Sequence, residues 1–274
     1  MEKHFAVIGD PIAHSLSPCM HNAGYQAARL AAEYQRFAVK PEQLREAVLG
    51  LRALGFSGWN VTIPHKEKII PFLDELTPTA ERAGAVNTVK VTETGKLIGH
   101  NTDGWGFLRS ISALLPVVRG KNVVLLGAGG AARGIAVPLA ESGAKLLILN
   151  RTPEKAGELS ELLTGYGAQS AWGSLQPGDW LAAADLVVQT TSVGLRGEPF
   201  SFSLRGLKKE ALVVDIIFNP AETQFLREAR QLGNAALNGL GMLLYQGVLA
   251  WEFWLEEPPP VENMEQALRA ADGG

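Results

Sequence analysis

The sequence contains a single cysteine, Cys19, among its 274 residues. One cysteine cannot form an internal disulfide, and it cannot supply the several thiolates of a metal cage. The five histidines are scattered along the chain, and His14 and His21 form no zinc-ligand pattern with a nearby carboxylate. We therefore expect neither a disulfide nor a metal site.

Long hydrophobic runs and an excess of positive charge are also missing. The apolar runs 123–126 and 146–149 have the length of strands and are far too short to cross a bilayer. The formal net charge is -3, so no basic field is available for the phosphates of a nucleic acid or a membrane surface. The first residues show neither a long apolar stretch nor a small-residue cleavage site. These features predict a cytoplasmic enzyme with no nucleic acid and no membrane among its partners.

Short apolar runs alternate with helical patterns along the chain, which is typical of an α/β protein. We predict strands at 5–8, 34–39, 56–61, 85–92, 96–99, 123–126, 145–149, 186–189 and 211–216. We predict helices at 18–30, from Pro41, from Pro64, and at 103–115, 131–142, 153–163, 222–232, 240–255 and up to about 270. The length fits two domains, and we place the boundary near residues 101–104.

A glycine-rich turn connects the apolar strand 123–126 to the helix that follows. It consists of Gly127, Ala128, Gly129, Gly130 and Ala131. Gly127 permits a tight turn, Gly129 lets the backbone approach a pyrophosphate, and the N–H groups at the helix start attract phosphates. Ala132 fills the place of the third glycine, which the motif tolerates. The alternative is an ordinary strand-turn-helix connection, but the context favours a dinucleotide site.

The residues after the next strand predict which dinucleotide binds. Sites for NAD carry an acidic residue there, which binds the ribose 2′-hydroxyl. This sequence instead has Asn150, Arg151 and Thr152, followed by Lys155. Arginine and lysine attract a 2′-phosphate, which an acid would repel, so we predict NADP. The alternative for Arg151 is a solvated charge at a helix start.

Polar residues also follow several strands of the first half. Ser15 and Ser17 precede a helix, where two hydroxyls suit a carboxylate ligand, although helix capping is the commoner role. Asn60 and Thr62 lie at the end of a predicted strand, in positions that alternation points to one side. These strand ends are where open α/β sheets bind ligands.

Two charged residues close to these strand ends could serve proton transfer. Lys66 falls in the first turn of the helix predicted from Pro64, where the positive dipole end would help it release a proton. Asn87 and Asp103 add an amide and an acid at further strand ends. Taken alone, Lys66 would be a surface charge and Asp103 a helix cap.

Eight segments, in this order and spacing, resemble the shikimate dehydrogenase family, which includes shikimate/quinate dehydrogenases. They read SLSP, NVTIPHK, GAVNT, NTDG, GAGGAAR, NRT, FNP and NGLGML, the last followed by Gln246, and they cover roughly residues 5–250. The resemblance implies an N-terminal α/β substrate domain and a C-terminal Rossmann NADP-binding domain with a cleft between them. The substrate domain would be 1–102, joined by C-terminal helices at about 240–274, and the Rossmann domain 103–239.

The resemblance also implies the reaction and the partners. The enzyme would reversibly reduce 3-dehydroshikimate to shikimate with NADPH, in chorismate and aromatic amino acid biosynthesis. Its partners would be this small-molecule substrate and NADP, and the protein would be a monomer or a homodimer.

Roles follow from the resemblance by matching each motif. Lys66 and Asp103 would form the catalytic pair, and Ser15 and Ser17 would bind the substrate carboxylate. The ring hydroxyls or neighbouring oxygens would be bound by Thr62, Asn87 and Gln246, with Asn60 in support. The cofactor would be bound by Gly127, Ala128, Gly129, Gly130, Ala131, Asn150, Arg151, Thr152 and Lys155, with Ile216 and Gly239 near the nicotinamide.

Three positions depart from the family's pattern. Phe218 stands where a tyrosine is common, Gln189 replaces an asparagine, and Leu195 replaces a methionine. We expect Phe218 to remove a hydroxyl contact to the ligand and Gln189 to alter a loop beside the cofactor. We expect none of the three to change the reaction type.

Three alternatives differ in substrate or class. A sister enzyme could use quinate or prefer NAD, but Ser15 and Arg151 favour shikimate and NADP. A non-catalytic ligand-binding homologue should have lost Lys66 or Asp103, and both are present. A folate-linked dehydrogenase of similar plan would lack the SLSP and NTDG segments.

Overall fold

The computed structural model describes residues 2–272, and the chain divides into two compact units. Unit 1 comprises Met1–Gly106 and Leu243–Gly274, and unit 2 comprises Phe107–Met242. The breaks fall inside two helices, α4 (Asp103–Ile111) and α9 (Leu240–Leu255). The chain therefore leaves unit 1 within one helix and returns to it within another.

Unit 1 is built on a mixed six-stranded sheet in the order β2-β1-β3-β5-β6-β4. Its strands are β1 (Lys3–Gly9), β2 (Ala32–Ala38), β3 (Gly58–Val61), β4 (Glu75–Leu76), β5 (Thr88–Val91) and β6 (Leu97–His100). Its helices include α1 (Ser17–Ala27), α2 (Leu44–Ala53), α3 (Pro78–Ala83) and α10 (Val261–Asp272). β1 runs parallel to β2 and β3, whereas β5 is antiparallel to β3 and β6.

The core of unit 1 explains why its sheet has helices packed on it. Trp59 of β3 and Ile8 of β1 are fully buried, and they share a cluster with Val48 and Leu51 on the inner face of α2. The indole N–H of Trp254 in α9 donates to the Val89 carbonyl at 2.9 Å, so the returning helix is bonded to the sheet.

Unit 2 has an entirely parallel six-stranded sheet in the order β12-β11-β10-β7-β8-β9. Its strands are β7 (Asn122–Leu126), β8 (Lys145–Asn150), β9 (Ser170–Ser174), β10 (Leu186–Gln189), β11 (Leu212–Asp215) and β12 (Ala236–Leu237). Its helices include α5 (Gly130–Glu141), α6 (Pro153–Gly165), α7 (Trp180–Ala183) and α8 (Gln224–Gln231). Counted from β7, this is the Rossmann strand order, whose switch point lies between β7 and β10.

The helix predicted from Pro64 does not form. Residues 63–69 make successive turns, and only a short 3-10 helix follows at Ile70–Phe72. The Lys66 carbonyl accepts a hydrogen bond from the Val86 N–H at 2.7 Å, so a neighbouring segment takes the acceptor that a helix would need. A tertiary contact overrides the local helix signal.

Several short elements escaped the sequence analysis. β9 is mostly exposed and has little apolar alternation, while α7 and β12 have only four and two residues. α3 did carry a start signal, because Thr77 caps it and Pro78 follows. In residues 2–272 no helix is both long enough and apolar enough to cross a membrane.

Candidate active site

The antiparallel pairing in unit 1 brings three predicted segments to one edge of its sheet. Asn60 of β3 lies opposite Thr88 of β5, and Thr88 lies opposite His100 of β6. The carboxyl ends of β3 and β6 therefore lie beside the amino end of β5. The segments at these ends carry Lys66, Asn87 and Asp103.

Lys66 and Asp103 form a salt bridge, with 2.5 Å between Nζ and Oδ2. The lysine side chain is 13% exposed and the aspartate side chain 4%, so water screens their attraction only weakly. Because Lys66 lies in a turn, the predicted assistance from a helix dipole is wrong. Asp103 begins α4, and both carboxylate oxygens bond to other side chains instead of capping the helix.

The Asn87 side chain connects Asp103 to the rest of the network. Its amide nitrogen donates to Asp103 Oδ1 and to Thr102 Oγ1, both at 2.9 Å. Its oxygen accepts from the Thr102 N–H at 2.8 Å and from the Thr88 hydroxyl at 2.9 Å. As found, both amide hydrogens of Asn87 are bonded inside the protein.

Asn60 is likewise buried and fully engaged. Its nitrogen donates to the Asn87 carbonyl at 3.1 Å and to Thr88 Oγ1 at 3.0 Å. Its oxygen accepts from the Tyr34 hydroxyl at 2.7 Å. This arrangement fits a supporting residue, since no hydrogen-bonding atom of its amide faces outward.

The two predicted carboxylate-binding serines differ in environment. Ser17 is 5% exposed and begins α1, whereas Ser15 is partly exposed in the preceding loop. The N-cap residue is Leu16, which has no side-chain capping bond, and Ser15 Oγ accepts only a long 3.4 Å bond from the Ser17 N–H. Burial raises the pKa of the neighbouring Tyr34 well above its ordinary value, and the Ser17 side chain opposes this in part.

Thr62 and Gln246 lie on different elements of unit 1. Thr62 follows β3 and is partly exposed, and its N–H donates to the Ile8 carbonyl at 3.0 Å. Gln246 lies in α9, where its amide donates to the Leu243 carbonyl at 2.8 Å. Its backbone contacts Gly106, three residues after Asp103 in α4, so closely that no side chain would fit there. The sheet and the helix pair thus bring Gln246 to the turn that begins with Asp103.

The glycine-rich turn of unit 2 has the predicted form. Gly127 follows β7 with φ +119°, and a Cβ on it would overlap the Thr190 hydroxyl. Gly129 is the N-cap residue of α5, and a Cβ on it would meet nothing within 4 Å. Ala128 is buried, while Gly130 and Ala131 form the partly exposed first turn of α5. An open N-terminus of α5 at the switch point fits a pyrophosphate.

The segment after β8 presents its charges to solvent. Arg151, Thr152 and Lys155 are all exposed, and Thr152 is the N-cap residue of α6. The Asn150 amide donates to the Thr152 carbonyl at 2.9 Å, which holds the turn between strand and helix. Within residues 2–272 neither Arg151 nor Lys155 forms a salt bridge, so both cations can meet an anionic group.

Ile216 and Gly239 meet at the carboxyl end of β11. The Gly239 N–H donates to the Ile217 carbonyl at 3.0 Å. A Cβ on Gly239 would overlap the Ile216 carbonyl, so only glycine fits there. The structure therefore brings together two residues that are far apart in the sequence.

Gln189 turns out to organise its loop. It ends β10 fully buried, its amide donates to the Val193 carbonyl at 3.0 Å, and its oxygen accepts a short bond from the Thr191 N–H. Its amide also reaches Asp215 at 3.3 Å. Gln189 thus bonds to the loop after β10, and the effect of this departure on the loop stays a prediction. Phe218, in the loop after β11, is partly exposed.

Sequence reasoning missed the buried partners of the site. Tyr34, Thr88, Thr102 and Asp215 are nearly or fully buried and hydrogen-bonded, yet each looks like an ordinary strand or loop residue. Thr88 and Thr102 do lie next to Asn87 and Asp103, which was the only signal available. No group of three metal-ligating side chains occurs in the described part of the chain.

Comparison with family models gives three matches along the chain. Residues 7–89 match the shikimate dehydrogenase substrate binding domain. Residues 111–220 match shikimate / quinate 5-dehydrogenase, and residues 239–269 match the shikimate 5′-dehydrogenase C-terminal domain.

Relatives of known name are similar over nearly the whole chain. The shikimate dehydrogenase (NADP(+)) of Desulfitobacterium hafniense is 62% identical over 274 residues, which are 99% of each chain. A crystal structure of shikimate dehydrogenase from Aquifex aeolicus is 41% identical, with a TM-score of 0.91 and 98% of each chain covered. The Thermus thermophilus enzyme in complex with NADP(H) and shikimate is 37% identical, with a TM-score of 0.88 over 98% of this chain and 99% of that one.

Proposed function

The chain belongs to the shikimate dehydrogenase family, and we propose that Lys66 and Asp103 carry the proton chemistry of its reaction. It is an NADP-dependent oxidoreductase that reduces 3-dehydroshikimate to shikimate in aromatic biosynthesis. The observation that supports the assignment is the 2.5 Å bond between two weakly exposed, oppositely charged side chains at a sheet edge.

Lys66 would act as the proton donor in the reductive direction. NADPH, when bound, supplies the hydride that the ketone carbon receives. Charge then develops on the ketone oxygen, and the Lys66 ammonium would neutralise it by giving up a proton from Nζ. In the reverse direction the neutral amine would take the hydroxyl proton.

Asp103 would hold the lysine in place and accept a hydrogen bond from a substrate hydroxyl. Its Oδ2 accepts from Nζ, and its Oδ1 is held by the Asn87 amide at 2.9 Å. With both oxygens bonded, the carboxylate has a single orientation, which limits the motion of the lysine. We propose that Ser15 and Ser17 bind the substrate carboxylate. Thr62, Asn87 and Gln246 would bind the ring hydroxyls or neighbouring oxygens, with Asn60 in support.

The preference for NADP would come from the turn between β8 and α6. Arg151 and Lys155 would pair with the 2′-phosphate, and Asn150 and Thr152 would hold the adenosine end. The pyrophosphate would lie at the N-terminus of α5, against Gly127, Ala128, Gly129, Gly130 and Ala131, with Ile216 and Gly239 near the nicotinamide. We propose residues 1–102 with 240–274 as the substrate domain and 103–239 as the cofactor domain, in a cytoplasmic monomer or homodimer.

The test compares Lys66 with a neighbouring lysine. Lys66→Ala should lower kcat for shikimate oxidation by NADP by roughly a hundred- to ten-thousandfold, with a much smaller change in KM. Lys68→Ala is the matched control, because Lys68 is exposed in the same run of turns, and it should keep normal kcat. Near-normal turnover of Lys66→Ala would refute the assignment. Quinate and NAD in parallel assays test the sister activity.

A further inference from the structure

Behind the Lys66–Asp103 pair, a chain of hydrogen bonds runs through the interior of unit 1. It begins at Tyr34, passes through Asn60, Thr88 and Asn87, and ends on Asp103. Each of these links is between 2.7 and 3.0 Å long. These are good hydrogen-bond lengths, so the chain is continuous.

Two backbone groups fix the direction of every link. The Asn87 carbonyl can only accept, so the Asn60 nitrogen must face it, and the Asn60 oxygen must face the Tyr34 hydroxyl. The Thr102 N–H can only donate, so the Asn87 oxygen faces it and the Asn87 nitrogen faces Asp103. Thr88 accepts from Asn60, and its own proton therefore goes to the Asn87 oxygen. Every donor in the chain thus points towards Asp103.

The residues in the middle of this hydrogen-bond chain are too deeply buried to touch a substrate. Tyr34 is 1% exposed and Thr88 is 0% exposed, and Asn60 lies between them. The His21 ring stacks on Tyr34, with centroids 4.4 Å apart and an angle of 7° between the planes. An effect of Thr88 on the reaction must therefore pass through the groups that its hydroxyl contacts, which are Asn60, Asn87 and Thr102. The hydroxyl of Tyr34 reaches these groups through Asn60.

We propose that Tyr34 and Thr88 are positioning residues for the catalytic pair, which they serve by holding the Asn87 amide in the orientation that supports Asp103. This rests on the proposed role of Lys66 and Asp103. If the Asn87 amide turned over, its oxygen would face the Asp103 carboxylate and its NH2 would face the Thr102 N–H. Both contacts would be repulsive, and Asp103 would lose the donor that aligns it on Lys66.

The principal test removes one hydroxyl and then restores it. Thr88→Val keeps the branched shape that suits a strand but cannot donate to the Asn87 oxygen. We expect kcat to fall by roughly five- to fiftyfold, while KM for NADP stays within about twofold. The solvent isotope effect on kcat should rise, because proton transfer becomes slower relative to the other steps. Thr88→Ser should restore kcat to within about threefold of the unmodified protein.

Two further variants separate positioning from general loss of stability. Thr77→Val is the matched control. It removes a hydroxyl of the same unit that caps α3 and bonds to His100, but that takes no part in the hydrogen-bond chain leading to Asp103. It should lower the melting temperature without lowering kcat. Tyr34→Phe removes the bond to Asn60 and should lower kcat in the same way, which keeps the proposal testable if Thr88→Val does not fold.

The outcomes distinguish this proposal from the assignment of the pair. If Lys66→Ala is inactive while Thr88→Val and Tyr34→Phe keep kcat within about twofold, the positioning role is refuted and the pair stands. If Thr77→Val lowers kcat as much as Thr88→Val, the effect is general loosening and the proposal is refuted. If Lys66→Ala remains active, the assignment of the pair itself fails.

Discussion

Asp215 should make the stability of unit 2 depend on pH in an unusual direction. Its carboxyl group is fully buried at the end of β11 and accepts from the Ile217 N–H at 3.0 Å and the Thr223 hydroxyl at 2.7 Å. Gln189 donates a third bond at 3.3 Å. Burial raises the pKa of Asp215 from 3.8 to about 6, because these neutral donors only partly replace water. Within residues 2–272 no cation forms a salt bridge with it.

The sign and size of the effect follow from proton linkage. The folded protein binds this proton more tightly than the unfolded chain, so unfolding releases it between pH 3.8 and about 6. The stability associated with the protonated form is therefore complete below pH 3.8 and is lost as the pH rises to about 6. The difference between the two pKa values corresponds to about 3 kcal/mol.

The variant Asp215→Asn isolates this contribution. Its amide oxygen can still accept from the Ile217 N–H, and the Thr223 hydroxyl can rotate to accept from the new NH2 group. In urea unfolding at several pH values, the free energy of unfolding of the variant should rise relative to that of the unmodified protein, by up to about 3 kcal/mol between pH 4 and 6. Above this range the difference should be constant. A difference that does not change with pH would refute the reasoning.

Asp185 provides a control of opposite sign in the same unit. Burial opposes its ionisation, but hydrogen bonds from Lys208 and the Asn122 N–H, with the charges of Lys208 and Lys121, lower its pKa overall. The stability it contributes is therefore present above pH 3.8 and is lost as the pH falls. Asp185→Asn should be less stable than the unmodified protein at neutral pH, and this deficit should shrink as the pH falls. Asp215→Asn should instead match the unmodified protein at low pH, where Asp215 is protonated, and should be relatively more stable at higher pH.

Three further predictions concern ligand binding and packing. Arg151→Asp should raise KM for NADP roughly ten- to a hundredfold and change KM for NAD little; equal use of both cofactors by the unmodified protein would contradict this. Alanine at both Ser15 and Ser17 should weaken shikimate binding and leave KM for NADP unchanged. If the two serines only cap the helix, the variant should instead lose about 1 kcal/mol of stability per site, seen as a lower melting temperature, with no change in shikimate binding. Gly239→Ala should destabilise the protein by about 1–3 kcal/mol because its Cβ would overlap the Ile216 carbonyl, and an unchanged melting temperature would argue against that overlap.

Much of the architecture is readable in local sequence patterns. The central strands β7, β8 and β10 are continuous apolar runs bounded by polar or glycine residues, so burial on both faces marks them directly. The glycine turn is equally local, because the sharp bend at Gly127 needs a residue that tolerates φ +119°. Short edge elements such as β9 and β12 carry no such mark, because they bury little apolar surface.

The fate of the segment after Pro64 shows where local signals fail. Pro64 predicted the start of a helix, but the Val86 N–H donates to the Lys66 carbonyl instead. That bond joins residues 20 positions apart, so no window of neighbouring residues contains it. The same is true of the close contact between Gly106 and the Gln246 backbone, which places Gln246 by the first turn of α4.

The sequence by itself determined the α/β class, the glycine turn, the cationic pair near Arg151 and the polar residues at strand ends. Each depends on residue types within a few positions of one another, where periodicity and backbone sterics act. Only the tertiary structure decided that Lys66 Nζ lies 2.5 Å from Asp103 Oδ2. The same is true of the hydrogen bonds that connect the buried Tyr34 and Thr88 to this pair. Those contacts depend on which strands pair and in which register, and hydrogen-bond direction has meaning only once both partners are in place.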